Sequence, residues 1–274
     1  MPDHSIDVEQ PLTRAELRAQ GGAAEAEAAA MGGDYRRAAR TDWREGGRSV
    51  RRWRETTLAV AFLSLGFFAL GAAAIDTLVD APWAPLASGV LLWVGMAVPI
   101  VWTFSRSRPA GLLRFRAVDL LYAVVLGVAL RVVAGWIEVA LGGSGAFPRY
   151  TTLDGSLGSQ WLVTDLLGPV LVAPLLEEFF FRAVLLVSVY TVLRRPVGRV
   201  AAGVTAVIVS SAVFMLVHAF TAQLGTGVIL SIGLVGLVCS LLVMLTGRIW
   251  GAVLVHLVFN ASFVVLALVG TFWT

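Results

Sequence analysis

Seven long apolar runs follow a polar N-terminal region, and they constrain the fold more than any other feature of the chain. They cover residues 57–79, 86–104, 118–141, 161–193, 200–222, 228–245 and 250–273. Each run reaches about 18 residues, the length that a helix needs to cross the roughly 30 Å hydrocarbon core of a bilayer. We therefore predict an all-α integral membrane protein, a bundle of about seven (seven to eight) transmembrane helices.

The composition supports a membrane protein, because 58% of the residues are hydrophobic, only 14% are charged and the mean hydropathy is +0.81. A soluble domain is far less apolar. The fourth run is too long for one simple span. Pro169 and Pro174 lie within it, and we expect them to kink the helix because proline removes a backbone hydrogen bond.

The region before the first run is polar and rich in arginine. Residues 1–55 are predicted to form a disordered cytoplasmic tail, since they hold too few large apolar side chains to build a core. Residues 56–274 are predicted to form the transmembrane domain. Trp43 and Trp53 lie among the last arginines of the tail, and this pattern is typical of an anchor at the membrane interface.

Arginine is unevenly distributed among the connectors between the runs. Connectors two, four and six hold Arg106, Arg108, Arg114, Arg116, Arg194, Arg195, Arg199 and Arg248, whereas connectors one, three and five hold only Arg149. Because positive residues concentrate on the cytoplasmic side, we predict a plasma-membrane protein with a cytoplasmic N-terminus and an outer C-terminus. The arginines are expected to contact membrane lipids, not nucleic acid. Cys239 is the only cysteine, so an internal disulfide is excluded.

Ionisable residues inside the apolar runs are few, and each is a functional candidate because a charge at membrane depth costs several kcal/mol unless it is paired or faces water. They are Arg131, Glu138, Asp165, Glu177, Glu178, Arg182, His218 and His256, joined by the polar Asn260. Asp165 and Asp119 lie near the ends of their runs, where we expect them to be solvated.

The segment Glu177-Glu178-Phe179-Phe180-Phe181-Arg182 places Glu178 and Arg182 four residues apart, a spacing that allows an ion pair on one helix face. Glu177 then points elsewhere and is free for another partner. One carboxylate held ionised beside a second in a low-dielectric site suits general-base catalysis. A purely structural ion-pair knot between helices is the alternative.

Two further segments carry histidine at the same spacing of four. Phe214 and His218 share one helix face, and so do His256 and Asn260. A lone histidine in an apolar helix is more often a packing residue than a catalyst, but the imidazole and carboxamide of the second pair point the same way. Counted from the cytoplasmic ends of their helices, His218 and His256 differ in depth by roughly 18 Å, which is too far for one catalytic site. We therefore expect that the helix of His218 begins below the bilayer, or that one of the last helices is tilted, broken or re-entrant.

The segments EEFFFR, FMLVH and HLVFN resemble, in order and spacing, the EExxxR, FxxxH and HxxxN motifs of the CPBP family. This family comprises the type II CAAX prenyl proteases and the bacteriocin-processing proteins also called Abi. The resemblance covers about residues 161–274, including the glycine-rich run at Gly233 and Gly236. It implies an intramembrane endopeptidase that cuts a membrane-associated protein or peptide.

The resemblance also implies a role for each motif residue. Glu177 is expected to activate water with His218 beside it, and His256 and Asn260 to stabilise the oxyanion. Glu178, Arg182 and Phe214 are expected to support these four.

Whether the enzyme is glutamate-dependent or a zinc enzyme stays open, because the family has been described both ways. If a metal is present, the expected ligands are Glu177, His218 and His256. The absence of an HExxH motif and the asparagine beside His256 favour a reaction without an obligatory metal, so no cofactor is firmly predicted.

Two other functions compete with a peptidase. Buried acids and histidines also mark proton- or ion-coupled transporters, and an inert membrane adaptor or immunity protein could keep the same fold. Gly142-Gly143-Ser144-Gly145 matches the GxSG pattern of rhomboid proteases, but no apolar run follows it, and a loop is predicted there.

Overall fold

A computed structural model describes residues 42–45, 50, 52–152, 154–221 and 224–273. This part of the chain is all-α, as predicted. Its seven long helical stretches are α1 (Glu55–Leu78), α2 (Ala84–Arg106), α3 (Val118–Ala140), α4 (162–193), α5 (Arg199–Thr221), α6 (Thr226–Thr246) and α7 (Trp250–Phe272). Within the described residues, all of these except α4 are single helices long and apolar enough to span a membrane. The predicted loop at residues 142–145 is confirmed.

The fourth stretch, α4, is continuous but changes its hydrogen-bond register. It consists of a π-helical segment Leu162–Val172, an α-helical segment Ala173–Glu178, a π-helical segment Phe179–Leu186 and an α-helical segment Val187–Leu193. Pro169 lies in the first π-helical segment and Pro174 in the first turn of the α-helical segment that follows. The disturbance expected from the prolines therefore includes a change of register, a feature frequent at functional sites.

The helix α4 forms the centre of the bundle. It contacts α1, α2, α5, α6 and α7, while α1 pairs with α2, α3 with α7, and α5 with α6. Residues 180–190 are buried on every side, as expected of a helix that is apolar all round. The acidic pair of α4 therefore lies inside the protein, away from lipid.

The outer helices turn large apolar side chains away from the protein. Leu63, Phe67, Leu70 and Trp136 are each more than two-thirds exposed. Such a surface would be unfavourable in water, whereas hydrocarbon solvates it well. The distribution fits a bundle that lies in a bilayer.

A short 3₁₀ turn, Trp43–Glu45, packs against the end of α6. The Trp43 indole donates to the carbonyl of Gly247 (3.1 Å), and Arg44 donates to the carbonyls of Met244 and Leu245 (3.0 and 2.6 Å). These carbonyls end a helix and have no partner within it. The turn therefore caps α6 from a distant part of the chain.

The two tryptophans before α1 are not lipid-facing anchors, so that prediction is wrong. Trp43 and Trp53 are fully buried, with their rings packed edge-on against Tyr190 (5.4 Å) and Phe104 (5.2 Å). The two indole rings pack against other residues of the protein instead of lying at the membrane interface, as we had expected. Most of the predicted disordered tail, residues 1–41, 46–49 and 51, lies outside the described residues.

The arginine-bearing connectors meet at one end of the bundle. Arg194 donates to the carbonyl of Arg44 (3.3 Å), and Arg248 pairs with Asp119 (2.8 Å). Asp119 also accepts the backbone N–H of Arg116 and is fully buried, so the expectation that it is solvated is wrong. The N-terminal turn and connectors two, four and six thus lie on the same side.

Candidate active site

The acidic pair ends the α-helical segment between the two π-helical parts of α4. Glu177 is 8% exposed and Glu178 is fully buried. Because they are neighbours on a helix, their side chains point in different directions. Glu178 faces Arg182 and α7, whereas Glu177 faces a cavity.

Glu178 forms the ion pair expected from its spacing. Its Oε1 lies 3.0 Å from Nη1 of Arg182, and both side chains are fully buried. Arg182 also donates through Nη2 to the carbonyl of Gly236 (3.2 Å) and lies 4.4 Å from the ring centroid of Phe214. The Gly236 carbonyl of α6 supplies one of the hydrogen-bond partners that a buried ion pair needs. Oε2 of Glu178 and Nε of Arg182 have no hydrogen-bond partner among the described residues.

The same oxygen of Glu178 contacts His256. Its Oε1 lies 2.9 Å from Nδ1 of that histidine, and a carboxylate accepts only, so Nδ1 carries the proton. The other ring nitrogen, Nε2, faces Oε2 of Glu177 at 3.8 Å. Glu178 therefore fixes the orientation of His256 toward the second acid, a contact that no sequence spacing could indicate.

His218 approaches Glu177 from the opposite side. Its Nδ1 lies 2.9 Å from the carbonyl of Phe214, one turn back along α5, so Nδ1 donates and Nε2 is left facing outward. That Nε2 is 3.8 Å from Oε1 of Glu177. Both histidines therefore flank one carboxylate, and the large offset expected from helix counting is absent.

Phe214 separates the two histidines. Its ring centroid lies 4.6 Å from that of His218 and 5.7 Å from that of His256, and the residue is 1% exposed. An aromatic spacer keeps the rings apart and excludes water from one side. This geometry is consistent with the supporting role that the resemblance implies for Phe214.

Asn260 lies one turn beyond His256 on α7. Its Nδ2 donates to the carbonyl of Pro169 (2.8 Å). In the register of that segment, where the Ala173 N–H bonds to the Gly168 carbonyl, the Pro169 carbonyl would need an N–H at residue 174. Residue 174 is proline and has none. Asn260 thus fills a gap in the helix with one of its two side-chain N–H groups.

One cavity of about 1100 Å³ brings these groups together. Its lining includes Glu177, Phe214, His218, His256 and Asn260. It also includes the half-buried Arg131 and the exposed Glu138 of α3, two ionisable residues that the sequence flagged by their depth in an apolar run but to which no motif assigned a role.

The donor set of two imidazoles and a carboxylate has the chemistry of a zinc site. However, among the described residues no group of three His, Cys, Asp or Glu side chains is arranged to hold a metal ion. The two Nε2 atoms each lie 3.8 Å from Glu177. As placed, these three residues do not form a metal site.

Residues 159–262 match the sequence model of a family described as type II CAAX prenyl endopeptidase Rce1-like. The match contains all three motif segments, and with them the four expected catalytic residues Glu177, His218, His256 and Asn260. This part of the chain is similar to that family. No curated protein and no solved structure matches the chain.

The family match confirms the resemblance read from the motifs. It covers less than half of the chain, and α1, α2 and α3 lie outside it. The Rce1-like segment supports a CAAX-type intramembrane protease in general terms. It holds Glu177 and the two histidines that face it, whereas Arg131 and Glu138 come from the unmatched part.

Proposed function

We propose that the protein is an intramembrane endopeptidase that hydrolyses a peptide bond of a membrane-associated protein or peptide. The observation that carries the proposal is the position of Glu177, whose two carboxylate oxygens each face an imidazole Nε2 at 3.8 Å. A carboxylate flanked by two such groups in a cavity large enough for a peptide segment suits the activation of water.

In the proposed reaction, one water molecule lies between Glu177 and His218. Glu177 accepts a proton from the water, and the oxygen of the water forms a bond to the carbonyl carbon of the peptide. The C–N bond then breaks, and the proton on Glu177 passes to the departing amine. The products are a carboxylic acid and an amine, so one water is consumed for each bond that is cut.

The tetrahedral intermediate places negative charge on the former carbonyl oxygen, and donors must already point at it. His256 and the second N–H of Asn260 take this role in our proposal. Because Nδ1 of His256 donates to Glu178, Nε2 can donate to the oxyanion only when the ring carries both protons. The Glu178 carboxylate compensates the charge of that ring.

The test uses Glu177→Gln, which keeps the size of the side chain but removes its ability to accept a proton. We expect cleavage of lipid-anchored peptides by the full-length protein in vesicles to fall at least about 10²-fold. Mass spectrometry after reaction in oxygen-18 water measures it, since hydrolysis places one heavy oxygen in the new carboxylate. Asp165→Asn, an acid-to-amide change on the same helix outside the cavity, is the matched control and should leave cleavage unchanged.

Unaltered cleavage by Glu177→Gln would remove Glu177 from the mechanism. Absence of cleavage in the wild-type protein, together with proton or ion flux that depends on Glu177, would favour a transporter. A chain with neither activity would be an inert adaptor of the same fold.

Metal dependence is tested in the same assay. We expect the wild-type protein to keep its activity in a strong chelator and to contain no stoichiometric zinc by elemental analysis. Activity that disappears with the chelator and returns with zinc would make Glu177, His218 and His256 a ligand set that closes around the metal. That outcome changes the mechanism and leaves the peptidase in place.

A further inference from the structure

Arg131 is held firmly against α7 at the turn that carries Asn260. Its Nε donates to Oγ of Ser262 (3.2 Å) and its Nη2 to the carbonyl of Phe259 (2.9 Å). The guanidinium lies 3.9 Å from the ring centroid of Phe259. The head group therefore has a fixed place on the helix that carries the proposed oxyanion donors.

The guanidinium lacks an acidic partner in the described part of the chain. Within the described residues no carboxylate forms an ion pair with Arg131, and no acceptor bonds to its Nη1. The buried Arg182 and the mostly buried Arg248, in contrast, each pair with a carboxylate. A cation at membrane depth is costly unless it is paired or faces a wet cavity, so Arg131 is set up for a partner from outside.

The cavity places that partner next to the reacting groups. Arg131 lines the same cavity as Glu177, His256 and Asn260. A guanidinium presents two parallel N–H groups that match the two oxygens of a carboxylate. Glu138 lines the cavity two helical turns further along α3, where it repels an anion and confines a negative group to the Arg131 end.

We propose that Arg131 is a specificity-determining residue that binds a carboxylate of the peptide substrate close to the bond that is cut. The inference rests on the proposed peptidase function and names the substrate chemistry of that site. Arg131 is not a catalytic residue in this scheme. It selects peptides that carry an acidic group in reach of the cavity.

The experiment compares lipid-anchored, C-terminally amidated peptides that carry Asp or Asn at each position in turn. The full-length protein is held in phosphatidylcholine vesicles, and kcat/KM is measured for each peptide. We expect the Asp peptide to be cleaved at least about tenfold faster at one position, the effect of one charge-assisted bond. Arg131→Gln should bring this ratio to about one, while Arg131→Lys retains part of it.

The Asp/Asn ratio distinguishes binding of the substrate carboxylate from a purely structural role of Arg131. Loss of a structural contact between α3 and α7 would slow cleavage of both peptides alike and leave the ratio unchanged. Arg195→Gln, the same arginine-to-glutamine change at an exposed position outside the cavity, is the matched control and should keep the preference for Asp. A second peptide set with free C-termini shows whether the terminal carboxylate is the group that Arg131 binds.

Three results of the cleavage assay overturn the inference. They are a ratio of one at every position for the wild type with no preference for a free terminus, a preference that survives Arg131→Gln, and a requirement for phosphatidylglycerol vesicles instead of acidic peptides. If Arg131→Gln does not fold, the Asp/Asn ratio of kcat/KM is compared between Arg131→Lys and the wild type, and an unchanged ratio overturns the inference.

If no peptide is cleaved, binding of the same Asp and Asn peptides to the Glu177→Gln protein is measured by fluorescence anisotropy. This measurement tests Arg131 separately from the peptidase. Equal binding of Asp and Asn peptides there also overturns the inference.

Discussion

Asn260 has two N–H groups on one amide nitrogen, and the helix already uses one of them. The bond to the Pro169 carbonyl holds the amide in place, which preorganises the second N–H. An oxyanion donor is effective only when it is fixed before the reaction. The break in the backbone pattern at Pro174 therefore helps to position a candidate catalytic group.

Asn260→Ala should lower turnover about 10²-fold and also lower the melting temperature, since the Pro169 carbonyl loses its donor. Adding Pro174→Ala supplies an N–H at residue 174. This should restore part of the melting temperature and none of the turnover, as a double-mutant cycle can show. If Pro174→Ala restored turnover as well, Asn260 would act only through the helix and not on the substrate.

At the scale of elements, the crossing of α5 and α6 places Phe214 between the histidines. A Cβ atom at Gly236 would lie 3.0 Å from Cδ1 of Phe214, and one at Gly233 would lie 2.9 Å from Sδ of Met215. Small residues let helix backbones approach closely in membranes. The glycine-rich run of α6 therefore sets the distance between α6 and the part of α5 that carries Phe214.

Gly236→Val should destabilise the protein by about 1–3 kcal/mol through overpacking, and it should reduce cleavage because Phe214 must move. Thermal unfolding in detergent and the peptide assay measure the two effects. Gly66→Val on α1 is the matched control, since a Cβ there meets nothing within 4 Å. Equal effects at the two positions would mean that the substitution acts through helix propensity alone.

The limits of sequence prediction follow from the range of the interactions. Apolar length is local, so the seven helices were predictable, as was the ion pair between Glu178 and Arg182. The contact of Glu178 with His256 joins residues far apart in the chain, and no spacing encodes it. The burial of Trp43 depends on the carbonyl that it meets at Gly247. Arg131 was flagged by its depth in an apolar run, but only the three-dimensional structure shows that it lacks an acidic partner among the described residues.

At the scale of the whole molecule, charge distribution and architecture agree on one polar end. Arg44, Arg194, Arg199 and Arg248 all bond within the cluster of the N-terminal turn and the even-numbered connectors. The loop after α3, with Phe147 and Pro148, lies against Gly270 near the C-terminal end of α7. The chain thus has an arginine-rich end and an arginine-poor end.

We expect the arginine-rich end to face the cytoplasm, because positive residues are retained on that side during insertion. Single cysteines in a Cys239→Ala background test this with a membrane-impermeant maleimide. Ala146→Cys should be labelled in intact cells, whereas Arg195→Cys should be labelled only after permeabilisation, and both positions are exposed in the fold. The reverse pattern would invert the protein in the membrane, and labelling of both cysteines from one side would contradict the arrangement of α3, α4 and α5.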